Sequence, residues 1–267
     1  DVSQVITHFA SAEEHERAAA MLASGLTQLN ATTTRVDDYL LLSIWSDTEL
    51  PDRIDLGLRI YIRTLQIALR DRYEKSVSYA VSDLHDLLGQ ASASEAWAVI
   101  SAAVFASPVI SRQDPVSAIR IAGRALQLAP DAELPDGTPL PLPENVPIEF
   151  FVWLPVQGMR TADHVRDWLN MVAELRPEQR ERAFGLEEAE EAMMVMVDRL
   201  WVNESHKPDE ERRWPDVLAA LDEVGQAAQG LDFELLWACA IRASLVVHAD
   251  YMGDIQEAHR IAEEALA

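Results

Sequence analysis

Cysteine is nearly absent from this chain. Its 267 residues include one, Cys239, so neither an intrachain disulfide nor a cysteine metal cluster can form. The Ala- and Leu-rich surroundings of Cys239 favour a buried, inert thiol, which suits a reducing cytosol, and the expected location is cytoplasmic. Glycine is thin as well, at 10 residues. A sheet protein needs turn residues every ~8–12 positions, and this chain does not supply them. Lysine occurs only at Lys75 and Lys207. The longest mainly apolar run without charge, Ala96 to Ser111, is interrupted by Ser101, Ser107 and Pro108. It falls short of the ~20 residues that span a bilayer and reads as a buried helix. The opening Asp-Val-Ser-Gln lacks the basic stretch of a secretory signal. Without an initiator Met, and ending at Ala267 inside a helical pattern, the sequence reads as a fragment of a longer polypeptide.

Catalytic signatures are also missing. No Gly-rich phosphate loop and no Gly-x-Ser-x-Gly elbow occurs. The seven histidines form neither His-Glu-x-x-His nor Glu-x-x-His pairs, so zinc and di-iron sites lack their helical spacing. Acids gather around histidine in Asp83-Leu84-His85-Asp86 and in His248-Ala249-Asp250. Adjacent positions on a helix point apart, so solvated surface is the expected role of both. Glu187, Glu188, Glu190 and Glu191 read as a charged helix start facing water. Met193, Met194 and Met196 follow, and core filling is favoured there over an adaptable binding surface. The expectation is a protein that is not an enzyme and carries no cofactor or metal. The alternative is a helical enzyme with a metal-dependent site of dispersed acids and histidines.

What is abundant is acid and helix periodicity. Asp plus Glu number 45 against 22 Lys plus Arg, a formal charge of −23. That field repels nucleic-acid phosphates and anionic lipid and steers basic partners inward. Helices are expected over 12–29, capped by Ser11 with Glu14, and over 34–46 with Val36, Tyr39, Leu40 and Ile44 inward. Further stretches follow from Pro51 through Leu69, at 72–89 and at 94–107. Asp114-Pro115 opens another, because proline tolerates the first helical turn. Seven of the 13 prolines lie between Pro130 and Pro155. Each ring removes an amide donor, so an insertion at about 131–147 interrupts the helices. Helical patterns resume near 162–175, 186–202, 215–228, 232–251 and 254–267, with a polar connection from Asn203 to Arg213. Most of the seven tryptophans sit in apolar stripes; Trp214 does not.

Two of these helices share a pattern. Ala118 and Ala125 lie seven apart and are followed by Pro130; Ala258 and Ala265 repeat the spacing after Gly253. Ala220 and Ala227 form a weaker third copy, and Val165 and Val172 stand at equivalent places. A small side chain every two turns lets a neighbouring helix approach closely. The pattern resembles the tetratricopeptide-repeat family, whose unit is ~34 residues of paired helices. Trp97 and Trp237 fall several residues before the family's first-helix aromatic position.

The resemblance implies an all-α fold: one helical-repeat domain over 1–267, an α-solenoid of antiparallel helix pairs winding into a right-handed superhelix. Such arrays bind peptides or proteins on a concave face. The expected role is therefore a scaffold or sensor module, the regulatory repeat region of a larger bacterial signalling or transcription-regulating protein. Its partner would be a protein or a basic peptide, with no nucleic acid or membrane bound. A homo-oligomer, paired through an uncapped apolar end helix, is a further reading. By the family's arrangement, Ala243, Val247 and Asp250 would face the partner.

Overall fold

The computed structural model describes residues 2–31, 39–72, 76–128, 151–185, 188–231 and 233–266. Pro130, the insertion at 131–147, the 34–38 start of the second expected helix and Glu187 lie outside them. The described residues are helical, with no strand among them, as the glycine shortage requires. None of these helices is long and apolar enough to cross a membrane. The chain divides into two compact units, Asp1–Leu154 and Pro155–Ala267, where the sequence reads as one array.

The N-terminal unit contains α1 (Val2–Ser11), α2 (His15–Ala31), α3 (Tyr39–Ser43), α4 (Leu56–Arg72), α5 (Ser78–Gln90), α6 (Ala96–Phe105), α7 (Ser107–Ile110) and α8 (Pro115–Leu128). Packing follows chain order: α1 lies on α2, α2 on α4, α4 on α5 and α6, and α6 on α8. Helix α4 is central, and every residue from Ile62 to Leu69 is buried. Ile62, Leu65 and Leu69 join Ile6, Leu22, Leu26 and Ile54 in one core. Burying each such side chain contributes about 1.5–3 kcal/mol. Gly57 admits a close approach: a Cβ there would sit 3.0 Å from the Trp97 ring. Tyr61 bridges this contact outward, with its ring 5.5 Å from Trp97 and its hydroxyl 3.0 Å from Thr27 Oγ1.

Three local expectations are corrected. The Ser11–Glu14 capping box does not form. Ser11 ends α1 and its hydroxyl donates to the Thr7 carbonyl, while Glu13 turns the chain at φ 61° and Glu14 pairs with Arg17. Leu40 is 51% exposed and Leu42 takes the buried place, because α3 stops at Ser43 and the backbone reverses through Trp45 at φ 54°. Pro51 precedes α4 rather than opening it. The start of α8 behaves as read: Pro115 occupies its first turn and the Asp114 carboxylate accepts from the Ser117 amide at 3.1 Å.

The C-terminal unit contains α9 (Ala162–Ala173), α10 (Pro177–Phe184), α11 (Glu188–Ser205), α12 (Trp214–Gly230), α13 (Glu234–Val246), a π-turn over Val247–Tyr251, and α14 (Ile255–Leu266). Helix α13 lies against α11, α12 and α14, and α9 lies against α12. The fully buried Trp168 of α9 stands edge-on to Phe184 at 6.1 Å. Trp214, outside any apolar stripe in the sequence, is nonetheless buried, and Tyr251 of the π-turn leans against it with ring centroids 4.9 Å apart and planes tilted by 39°. The polar connection after Asn203 folds back on Glu204, which accepts from the Arg213 amide and from Lys207, each at 2.6 Å. The hydrogen bond from Lys207 holds Glu204 below the usual carboxylate range.

Candidate functional site

The strongest polar constellation surrounds Arg63, which is 0% exposed. Its Nε donates to Asp83, one terminal nitrogen to the Trp45 carbonyl at 2.6 Å and to Gln66 Oε1 at 2.8 Å, and the other to the Thr48 carbonyl at 2.5 Å. Gln66 Nε2 in turn donates to the Ile44 carbonyl at 2.9 Å. Asp83, read from sequence as solvated surface, is drawn inward by this guanidinium and keeps only 12% side-chain exposure. The hub fastens the left-handed Trp45 turn to α4 and α5. Its polar groups are spent on one another, so it is a structural device.

His85, beside Asp83, is half-buried, and burial pushes its imidazole below the usual value while the Asp114 charge opposes the shift. Among the described residues no group of histidines, cysteines and acids is arranged to hold a metal ion. Burial also pushes the Cys239 thiol up, away from the reactive thiolate.

The repeat positions divide by burial. Ala118 and Ala125 are fully buried on α8, and Ala258 is buried on α14. Ala220 and Ala227 are half-buried beside the inward face of α12, where Gly225 and Ala228 occupy the close-packed places. Ala265 is half-buried. Gly253 adopts φ +68°, a turn conformation that disfavours any side chain. Of the expected partner-facing residues, Asp250 is exposed. Ala243 and Val247 are corrected: Ala243 is 1% exposed on α13, which lies against α11, α12 and α14, and Val247, the first residue of the π-turn, is 0% exposed.

The accessible apolar site lies elsewhere in this unit, where α10, α11 and the start of α13 converge. Pro177 opens α10, with the Arg176 amide donating to Gln179 Oε1 at 3.3 Å, and the Gly185 amide closes it on the Glu181 carbonyl at 2.9 Å. This delivers Phe184 to the helix end. Past α12 the Phe233 amide returns to the Ala228 carbonyl at 2.9 Å, fixing Phe233 as the residue before α13. The two rings stack with centroids 4.4 Å apart and planes 23° from parallel. They wall a cleft of about 410 Å³ with Met193, Leu235 and Leu236. Met193 and Leu236 are buried, whereas Leu235 is 40% exposed. Arg180, Glu181 and Glu234 form its charged rim.

An apolar cavity of this size, bounded by a few polar groups, suits a small ligand or a single anchoring side chain. In the sequence Met193 reads as core filling, and neither Phe184 nor Phe233 stands out. Neither phenylalanine lies in a periodic stripe; the one local signal is an aromatic beside a helix break, at Phe184-Gly185. No family model, curated protein or solved structure matches the chain.

Proposed function

We propose that the protein is a helical-repeat binding module whose C-terminal unit captures a segment of a partner protein by an apolar side chain seated in the cleft walled by the stacked Phe184–Phe233 pair, Leu235 and Met193. The observation that carries this reading is the stacked Phe184–Phe233 pair walling an open cleft, in which the large apolar Leu235 remains exposed. Aromatic anchors in dry pockets ringed by polar groups supply most of the binding energy at protein interfaces.

The finer architecture belongs to the same proposal. In each unit the helices form antiparallel pairs stacked in the tetratricopeptide manner. Three features support this: α2, α4, α6 and α8 pack in succession, α13 packs on both α11 and α12, and the left-handed Gly253 divides the last two helices. The module serves as the regulatory, partner-sensing part of a larger cytoplasmic signalling protein, and its charge of −23 favours partners with basic residues beside the anchor.

Selection of a random displayed peptide library on the protein tests the reading. Enriched peptides are expected to share one aromatic or aliphatic anchor. Their affinity is expected to fall at least about tenfold on Leu235→Asp, which places a charge on the exposed wall without opening the core. Absence of enrichment, or equal binding to the variant, contradicts it.

A further inference from the structure

A second cavity, separate from the Phe184–Phe233 cleft, runs between α12 and α14 with α13 beneath it, and encloses about 280 Å³. Its walls differ in character from those of the first. Leu218 of α12, Ile241 of α13 and Ile261 of α14 line it with aliphatic surface, and the indole of Trp237 adds a flat aromatic face. Asp222 and Glu264 supply carboxylates from opposite sides.

The charge at this cavity is one-sided. The cation beside it, Arg260, is consumed: Nε donates to Glu257 at 2.9 Å and another nitrogen donates to Glu264. These two acids hold the Arg260 guanidinium above its ordinary pKa. Two carboxylates around one guanidinium leave a net negative charge. Asp222 adds another, since it accepts only from Gln226 at 2.8 Å and takes part in no ion pair among the described residues. His248, at the π-turn, also lines the cavity, and its buried Nδ1 has no hydrogen-bond partner among the described residues. An anion would meet two acids and a cation already paired. A purely apolar ligand would leave Nδ1 unserved.

We propose that this cavity binds an ammonium group carried on a short hydrocarbon stem. The stem, of about four or five carbons as in a lysine side chain, lies along Leu218, Ile241 and Ile261. The ammonium donates to Asp222, and to Nδ1 of His248 when the ring proton is on Nε2. Trp237 lies about three helical turns before His248 along the same wall, so its indole flanks the stem rather than the ammonium. The protein's negative field concentrates such cations at the surface. The group can arrive as a lysine of a partner or as a free diamine.

Calorimetric titration with cadaverine at physiological ionic strength, together with the indole N–H cross-peak of Trp237, tests the site. Saturable binding is expected, with the Trp237 signal shifting in step. Asp222→Asn should weaken binding at least about tenfold, which corresponds to about 1.4 kcal/mol. Glu210→Gln, an acid on the separate 3-10 turn Asp209–Glu211, should leave binding unchanged. The neutral 1,5-pentanediol should leave Trp237 unmoved. Tighter binding of a lysine-containing pentapeptide than of cadaverine would mark a partner's side chain as the source, and the reverse a free amine; both support an ammonium site. Three results overturn it: no Trp237 shift with cadaverine, an equal shift with pentanediol, or equal losses in Asp222→Asn and Glu210→Gln, which would mean diffuse attraction by the net charge. Asp222 is exposed, so the unfolding midpoint of Asp222→Asn should match the parent and a loss of binding is not a loss of fold.

Discussion

Arg63→Ala is expected to lower the unfolding free energy of the N-terminal unit by about 3–5 kcal/mol, the usual cost of removing one member of a buried charge pair. The reasons are geometric. Arg63 is wholly buried and is the common donor to Asp83, Gln66 and the carbonyls of Trp45 and Thr48. Truncation strands the Asp83 charge and leaves two backbone carbonyls without their donor. It also releases the turn at Trp45, a bulky residue held at φ 54°, where backbone strain costs of order 1–3 kcal/mol. Arg63→Lys should recover only part of the loss, because a single ammonium lacks the fork that reaches both Asp83 and Thr48. Urea unfolding followed by amide hydrogen exchange in α4 and α5 measures both variants. Stability within 1 kcal/mol of the parent, about the size of an average substitution, would show that the hub is not a structural keystone.

Trp168→Ala is expected to cost a similar amount, about 3–5 kcal/mol, in the C-terminal unit. Trp168 is a large side chain that is fully buried, and its edge-on contact with Phe184 stands directly behind the cleft. The variant therefore carries a second expectation. Freed of its backing, Phe184 should lose its fixed stack on Phe233, so peptide affinity falls even at temperatures where the unit remains folded. Trp168→Phe preserves an aromatic edge and should restore more binding than stability, since the residual cavity still weakens the core. Chemical denaturation and peptide binding measured on the same samples separate the two effects.

The sequence makes some of this fold legible and hides the rest for identifiable reasons. Asp114-Pro115 marks the start of α8 because both signals are local: a carboxylate that caps and a ring that fits the first turn. Ala118 and Ala125 likewise announce a buried face through spacing alone. The break between α1 and α2 is hidden because it depends on Glu13 adopting a left-handed conformation that its type does not advertise. Leu40 and Leu42 are equivalent in composition, and which is buried is decided by where α3 stops. The family's arrangement makes Ala243 and Val247 partner-facing; the packing of α13 on three other helices buries Ala243, and the π-turn, lying against α13 and α14, buries Val247. Asp83 is part-buried because Arg63 stands opposite it, a pairing no local pattern records, and the burial of Arg63 follows from the central position of α4. The cleft was the least legible feature. Phe184 and Phe233 meet across two helix ends far apart in the chain, and no periodicity records such a meeting.

The most direct measurement of the central claim, that this cleft receives an apolar side chain, is a methyl and aromatic NMR titration with N-acetyl-phenylalanine amide. The account predicts saturable shifts concentrated on the methyl signals of Met193, Leu235 and Leu236 and on the rings of Phe184 and Phe233, all of which line the cleft, and their loss in Leu235→Asp. Shifts confined to other parts of the protein, or none at millimolar probe, would contradict it.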